Sequence, residues 1–363
     1  MKAGWGIKPL GEVCTFDKVQ GIHTGLPYVG LVDIESHTAR FVGSSEPQPV
    51  KSSTFRFTRA HVLYGRLRPY LNKVLAPDFE GHCSTEIFPL KPSPELSREY
   101  LLYWLLSDET CNRINATCTG ARMPRAQMNE VLGFEFPLPP LPEQHRIVAL
   151  LDEAFNGIAT AKANAERNLQ NARALFESHL QSVFTERGEG WVAKPFDDCL
   201  EDVRYTTKIQ RKEFLENGEF PVVSQEAEFI NGYWNNSADV FTVAKPVVIF
   251  GDHTQVLKYI DFDFVLGADG VKILSPKPFL HPKFFFYALR AAPLKSLGYA
   301  RHYRLLKELR IYHPHLGQQA AISEQLDALS EETQRLESLY QRKLDALDAL
   351  KQSLLHQAFS GAL

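Results

Sequence analysis

The sequence repeats itself. Set against a copy shifted by 175 positions, two long helix-patterned stretches coincide without a gap: Leu141 with Leu316, Gln144 with Gln319, Ile147 with Ile322, Leu151 with Leu326 and Asp152 with Asp327. The register continues through Arg167/Arg342, Leu169/Leu344, Leu175/Leu350, Ser178/Ser353, Leu180/Leu355 and Phe184/Phe359. A shift of 186 aligns the regions before those helices. It places Gly4-Trp5 on Gly190-Trp191, Lys8-Pro9 on Lys194-Pro195, Gly65 on Gly251, Gly81 on Gly267, Ile87 on Ile273 and Lys91-Pro92 on Lys277-Pro278. The chain is therefore one unit, a globular domain followed by a long helix, written twice. Such a duplication constrains the fold to a pseudo-two-fold internal repeat, and it suits a target that itself comes in two halves.

Each globular copy opens with short apolar runs bounded by Gly, Pro or Ser, such as Pro27–Val32, Arg59–Tyr64, Pro246–Phe250 and Gly270–Leu274, and these predict strands. Helix-period pattern follows at Glu99–Leu106 and Lys283–Leu289, so each copy is an α+β domain. Phe136-Pro137-Leu138-Pro139-Pro140-Leu141-Pro142 excludes helix until Pro142, which is well placed in a first turn; the second copy keeps Pro314. The expected division is a first globular domain over 1–135, a first helical spacer over 136–187, a second domain over 188–310 and a second spacer over 311–363.

In the spacers the apolar stripe runs through Ile147, Leu151, Ala154, Ile158, Ala161, Ala165, Leu169, Ala172, Leu175 and His179. Its second version runs through Ile322, Leu326, Leu329, Thr333, Leu336, Tyr340, Leu344, Leu347, Leu350 and Leu354. Forty helical residues reach roughly 60 Å, far more than a small domain needs. A narrow stripe with charged flanks wants a long partner, and the nearest one is its own repeat, giving an intramolecular antiparallel coiled coil. Small Ala154, Ala161, Ala165 and Ala172 would then face bulky Leu329, Leu336 and Tyr340. An intermolecular coiled coil is the alternative.

The 363 residues, 44% of them apolar, suffice for ordinary cores. There is no run of 18 apolar residues and no apolar core behind Met1-Lys2-Ala3-Gly4-Trp5, so neither a membrane span nor a signal peptide is expected. The five cysteines (14, 83, 111, 118 and 199) form no CxxC pair, which points to reduced, structural thiols in a cytoplasmic protein.

A net charge of −3 argues against a generic polyanion binder, but the average hides a pattern. Residues 47–77 lack acids yet carry Lys51, Arg56, Arg59, Arg66, Arg68 and Lys73, and residues 110–129 lack acids and carry Arg113, Arg122 and Arg125. In copy two the acid-free window from 270 to 307 holds Lys272, Lys277, Lys283, Arg290, Lys295, Arg301, Arg304 and Lys307. The spacers compensate, with seven acids against five bases in 134–188 and seven against four in 311–363. Basic surfaces at related places in a duplication indicate a phosphate-facing role, with Arg able to fork onto guanine and Lys mostly fixing phosphates.

Chemistry is conspicuously missing. The sequence has no GxxxxGK[ST], no GxGxxG between a strand and a helix, no HExxH, no GxSxG and no Asn-Pro-Pro-aromatic tetrad. Asp252-His253 after a strand could be read as a catalytic pair, but its counterpart in copy one is Arg66-Leu67, so the duplicated unit has not kept it.

The run Phe136-Pro137-Leu138-Pro139-Pro140-Leu141-Pro142-Glu143-Gln144-His145-Arg146-Ile147-Val148 resembles the helical-region entrance of type I restriction–modification specificity subunits. Val248–Thr254, Val265–Lys272 and Gly298-Tyr299-Ala300-Arg301-His302-Tyr303 look like one subtype of their target-recognition domains. The second entrance departs from the pattern, with His313-Pro314-His315-Leu316-Gly317-Gln318-Gln319. The resemblance implies a non-catalytic subunit that binds double-stranded DNA and holds no cofactor itself. Its partners would be two modification subunits using S-adenosylmethionine and, where restriction is present, two ATP- and Mg-dependent restriction subunits.

DNA contacts are therefore expected from Arg66, Arg68, Lys73, Arg122 and Arg125 in copy one, and from His253, Thr254, Lys258, Arg301, His302 and Arg304 in copy two. Partner contacts are expected from Glu143, Gln144, Gln318 and Gln319 at the two helix entrances. No catalytic or metal site is expected. The rival functions are an autonomous nuclease or methyltransferase, and a coiled-coil adaptor without DNA contact.

Overall fold

The computed structural model describes residues 4–120, 122–295, 297–298 and 300–363. They divide into two compact units, Met1–Glu166 with Gln341–Leu363, and Arg167–Tyr340.

In the first unit, strand Gly6–Pro9 pairs antiparallel with Glu135–Leu138 and ties the start of the domain to its end. Between them lie two four-stranded sheets. One has the order Cys14–Phe16, Ile87–Pro92, Val62–Gly65, Val74–Leu75; the other has Gln20–Gly21, Thr54–Phe57, Gly81–Cys83, Tyr28–Val29. Helix Arg98–Leu106 starts at Ser97, whose hydroxyl accepts the Tyr100 N–H. The next helix, Asp108–Ala116, starts at Ser107, which accepts the Thr110 N–H in the same way. Tyr100, Trp104 and Phe136 form the heart of the core. Ile147 and Leu151 from the start of the first long helix join it, as do Leu355 and Ala358 from the end of the second. Burying one such side chain stabilises by about 1.5–3 kcal/mol, so both helix ends are integral to this domain.

The second unit repeats the plan. Strand Val192–Pro195 pairs antiparallel with Arg310–His313. A three-stranded sheet has the order Leu257–Ile260, Val247–Gly251, Val271–Leu274, and a five-stranded sheet contains Lys208–Ile209, Phe264–Gly267, Phe220–Val223, Gly232–Trp234 and Val240–Phe241. Helix Pro282–Arg290 packs Phe284 and Phe285 against Phe196 and Phe250. Its other face packs Tyr287 against Phe176 and Leu180 of the first long helix and Leu326 of the second.

The ladders correct one part of the sequence register. Gly65 pairs with Ile87, and its counterpart Gly251 pairs with Val271, not Ile273. Cys14 pairs with Pro92, and its counterpart Leu200 bridges to Pro276, not Pro278. The shift in these strands is thus 184 (87 to 271 and 92 to 276), because copy two has two residues fewer between the paired strands. The Lys-Pro match in sequence was coincidental.

The long helices span Leu141–Glu186 and Leu316–Ser360, 46 and 45 residues. They run antiparallel in each unit. Lys162 Nζ meets Asp348 at 2.7 Å in the first unit, and Arg173 Nε meets Glu337 at 3.0 Å in the second. A shift of 175 turns Lys162 into Glu337 and Arg173 into Asp348, so one contact is made twice with exchanged partners, as a self-complementary pairing requires. Ala165 and Ala172, at 1% and 5% exposure, are the stripe alanines that are fully covered.

Candidate nucleic-acid interface

In copy one, strand Val62–Gly65 runs into Arg66-Leu67-Arg68, and the segment from Arg122 to Ala126 comes back alongside it. Arg68 N donates to Pro124 O at 2.8 Å, Ala126 N donates to Arg66 O at 2.9 Å, and Leu67 bridges to Arg125. Two segments far apart in sequence thus become one surface carrying Arg66, Arg68, Arg122 and Arg125. Arg68 holds a left-handed backbone at φ 52°, a conformation that costs a non-glycine residue about 1 kcal/mol or more, which marks a tightly determined turn. Arg68 and Arg122 are exposed, with Tyr70 and Met123 exposed beside them. Glu86 organises the other two arginines. It accepts from Arg125 Nε and Nη2 at 3.0 and 2.9 Å and lies 3.8 Å from Arg66 Nε, while the Arg66 guanidinium sits over the Phe88 ring.

In copy two the same plan uses different residues. Asp252 follows strand Val247–Gly251 and is 4% exposed. Its carbonyl accepts His302 N at 2.7 Å and its carboxylate accepts Tyr303 N at 2.8 Å, which caps the short helix Tyr303–Lys307. The two runs singled out by sequence, around Asp252 and around His302, are therefore one structural element; Tyr299 lies outside the described residues. Gln225 joins them, accepting His253 N on Oε1 at 3.1 Å and the Thr254 hydroxyl on its carbonyl at 2.6 Å. Gly251 and Gly270 make room for it, since a Cβ at Gly270 would sit 2.5 Å from Gln225 Oε1 and one at Gly251 2.9 Å from Gln225 Cβ. Thr254, Arg301 and Arg304 are exposed, and His253 is half-buried.

The hydrogen bond from Ala126 N to Arg66 O has its counterpart in His302 N to Asp252 O. The local shift is 176 (126 to 302), which makes Arg125 and Arg301 equivalent. Their electrostatics differ. Arg66 N donates to Glu86 O where Asp252 N donates to Gly270 O, so the carboxylate that clasps Arg125 is replaced by a glycine beside Arg301.

Five expected site residues have their side chains bonded to the protein's own main chain. Lys73 Nζ donates to Leu31 O and Ile34 O at 2.7 and 2.6 Å and ties down the loop after strand Tyr28–Val29. His302, 1% exposed, accepts Leu297 N on Nε2 at 2.9 Å and places Nδ1 3.0 Å from Asp252 O, so both ring nitrogens are committed to the backbone. Gln144 and Gln319 are fully buried. Glu143 pairs with Arg146 at 2.7 Å, and Gln318 is exposed.

Lys258 is the fifth. It is 3% exposed and donates to Glu228 O, Phe229 O and Asn231 Oδ1. Burial lowers its amine to about 8. The folded state then binds fewer protons than the unfolded chain between pH 8 and 10.5, so this group makes stability rise with pH across that window. Urea unfolding of the wild type should gain stability from about pH 8 to about pH 10 relative to Lys258→Met. Equal pH slopes would mean that the ammonium is not desolvated.

Nucleophile and metal chemistry find little to work with. Burial pushes the Cys14 thiol up to about 12 and raises those of Cys83, Cys111 and Cys199, and Asp252 is spent on capping. Among the described residues no cluster of His, Cys, Asp and Glu is placed to hold a metal, and no helix is long and apolar enough to cross a membrane.

The family model for the type I restriction modification DNA specificity domain matches the chain twice, over residues 44–168 and 189–343. The type I restriction enzyme EcoDI specificity subunit of Escherichia coli is 28% identical over 158 residues, 43% of this chain and 35% of its own length. The EcoR124I/EcoR124II specificity subunit, also of Escherichia coli, is 30% identical over 90 residues, 23% of this chain and 22% of its own. The matches thus span about a third or less of those relatives. In fold, a chain from a solved type I R-M system has a TM-score of 0.83 at 22% identity, covering 100% of this chain and 99% of the other. The HsdS subunit from Thermoanaerobacter tengcongensis has a TM-score of 0.64 at 22% identity, covering 100% and 98%.

Proposed function

The chain belongs to the family of type I restriction modification DNA specificity domains, and we propose that it is the non-catalytic, sequence-reading subunit of a type I restriction–modification complex. It reads a bipartite double-stranded DNA target, one half-site per domain, and works in the cytoplasm beside the chromosome. Two modification subunits dock on the net-negative helix pair and supply adenine methylation from S-adenosylmethionine. A pair of ATP- and Mg-dependent restriction subunits completes the cleaving form. One observation supports this reading above the others: the same two-segment surface is built in both copies, with exposed Arg68 and Arg122 in one and Arg301 and Arg304 in the other.

The helix pair acts as the ruler. Four residues inserted near Ala172 add roughly 6 Å, close to one turn, and keep most of the apolar stripe in phase. With DNA rising about 3.4 Å per base pair, the recognised gap should lengthen by one or two base pairs while both half-sequences stay the same. Mapping methylated adenines in cells carrying the insertion is the test. An active complex with an unaltered gap would contradict the ruler, and methylation without a bipartite motif would contradict the function itself.

A further inference from the structure

The two buried glutamines at the helix entrances are wired identically. Gln144 Oε1 accepts Ser97 N at 2.8 Å, and its Nε2 donates to Glu95 O at 2.9 Å and Pro139 O at 2.8 Å. Gln319 Oε1 accepts His281 N at 2.8 Å, and its Nε2 donates to Phe279 O at 3.0 Å and Pro314 O at 2.8 Å, with His313 Nδ1 a further neighbour at 3.5 Å. Each side chain spans the same junction, between the first turn of a long helix and the start of the helix that its own domain packs against it. A second bond repeats about two turns further along the long helix. The Tyr103 hydroxyl donates to Asp152, and the Tyr287 hydroxyl donates to Asp327. Burial and the neighbouring carboxylate both raise these phenols, so they remain protonated donors at physiological pH.

The glutamine half of the lock is indifferent to the domain's side chains, and the second bond asks only that the domain keep one tyrosine, Tyr103 or Tyr287. Ser97 corresponds to His281 and Glu95 to Phe279, pairs with nothing in common, yet the geometry persists because the glutamine reads main-chain N–H and C=O groups. A domain can therefore change its sequence, and with it the half-site, while the attachment to its helix stays constant. Two anchor points, one at the helix start and one about two turns later, add directional bonds to the core packing of Ile147, Leu151 and Leu326 between them. Ordinary core packing would not demand a polar group here, since a buried amide without partners is costly and an apolar side chain of similar size would fill the space.

We infer that Gln144 with Tyr103–Asp152, and Gln319 with Tyr287–Asp327, are positioning residues that fix each domain's pose on its helix and thereby hold the gap between half-sites to one length. This rests on the bipartite reading above.

The experiment replaces the gene in its own host with Gln144→Leu, Tyr103→Phe and Asp152→Asn in turn and maps methylated adenines across the genome. The wild-type chain, mapped in parallel, should give two half-sequences at a single gap; if it does not, the bipartite reading fails independently of the lock. The variants should keep both half-sequences, and sites with a gap one base pair longer or shorter should gain roughly tenfold in methylation relative to wild type, the scale of removing one hydrogen bond. Tyr103→Phe removes a single oxygen and leaves the ring packed against Phe155, so it carries the test even if Gln144→Leu fails to accumulate. Sparser methylation with the single gap retained in Tyr103→Phe and Asp152→Asn would overturn the proposal, because a merely structural role lowers the amount of complex without changing what it measures.

Discussion

Reversing Arg301 and Arg304 to glutamate should all but abolish DNA binding by the assembled complex near physiological salt. Both side chains are exposed. Arg301 occupies the place of Arg125, yet Gly270 stands where copy one has the clasping Glu86, so its charge is free of that carboxylate. Arg304 rides on the short helix that Asp252 caps, which holds it on the same surface. Each reversal removes one phosphate attraction and adds a repulsion, and removing each phosphate interaction should flatten the logarithmic salt dependence by about one. Together the two changes should weaken binding by about a hundredfold or more near physiological salt. Exposed substitutions of this kind usually leave stability within about 0.5 kcal/mol, so an unchanged melting curve separates weakened DNA binding from failed folding. Binding that survives the double reversal would place the DNA-facing surface elsewhere on the domain.

The duplication, the helix entrances and the antiparallel pairing were legible because each rests on periodicity: a stripe at helical spacing, proline punctuation and a fixed shift between copies. Burial of single polar residues was not. A lysine in an acid-free window looks the same whether it meets phosphate or, like Lys73 and Lys258, ties down its own backbone. The main-chain bonds of His302 and the two glutamines are hidden for the same reason, since residue type reports hydrogen-bonding capacity and says nothing of the partner. One clue was present: Gln144 and Gln319 are identical while Glu143 and Gln318 are not, as expected when only the former face an invariant main chain. The equivalence of Arg125 and Arg301 is hidden in the sequence because a local shift of 176 lies between blocks shifted by 184 and 175, and paired strands and bonds reveal it. Glu86 and Gln225 give no sequence signal because neither belongs to a run of like residues.

The central claim is that each domain reads its own half-site on a helical frame common to both copies. The strands that close each domain pair with each other, Gly6–Pro9 with Glu135–Leu138 and Val192–Pro195 with Arg310–His313, so the start and end of each domain are held together. Its attachment to the helix through Gln144 uses main-chain atoms of Ser97 and Glu95, which another family member's domain also offers. Replacing residues 1–133 with the first domain of a relative, and mapping methylated adenines in cells carrying the exchange, therefore tests the claim most directly. One half-sequence should be exchanged for the donor's, while the other half-sequence and the gap between them stay as in the wild type. A change in both halves together, or in neither, would contradict it.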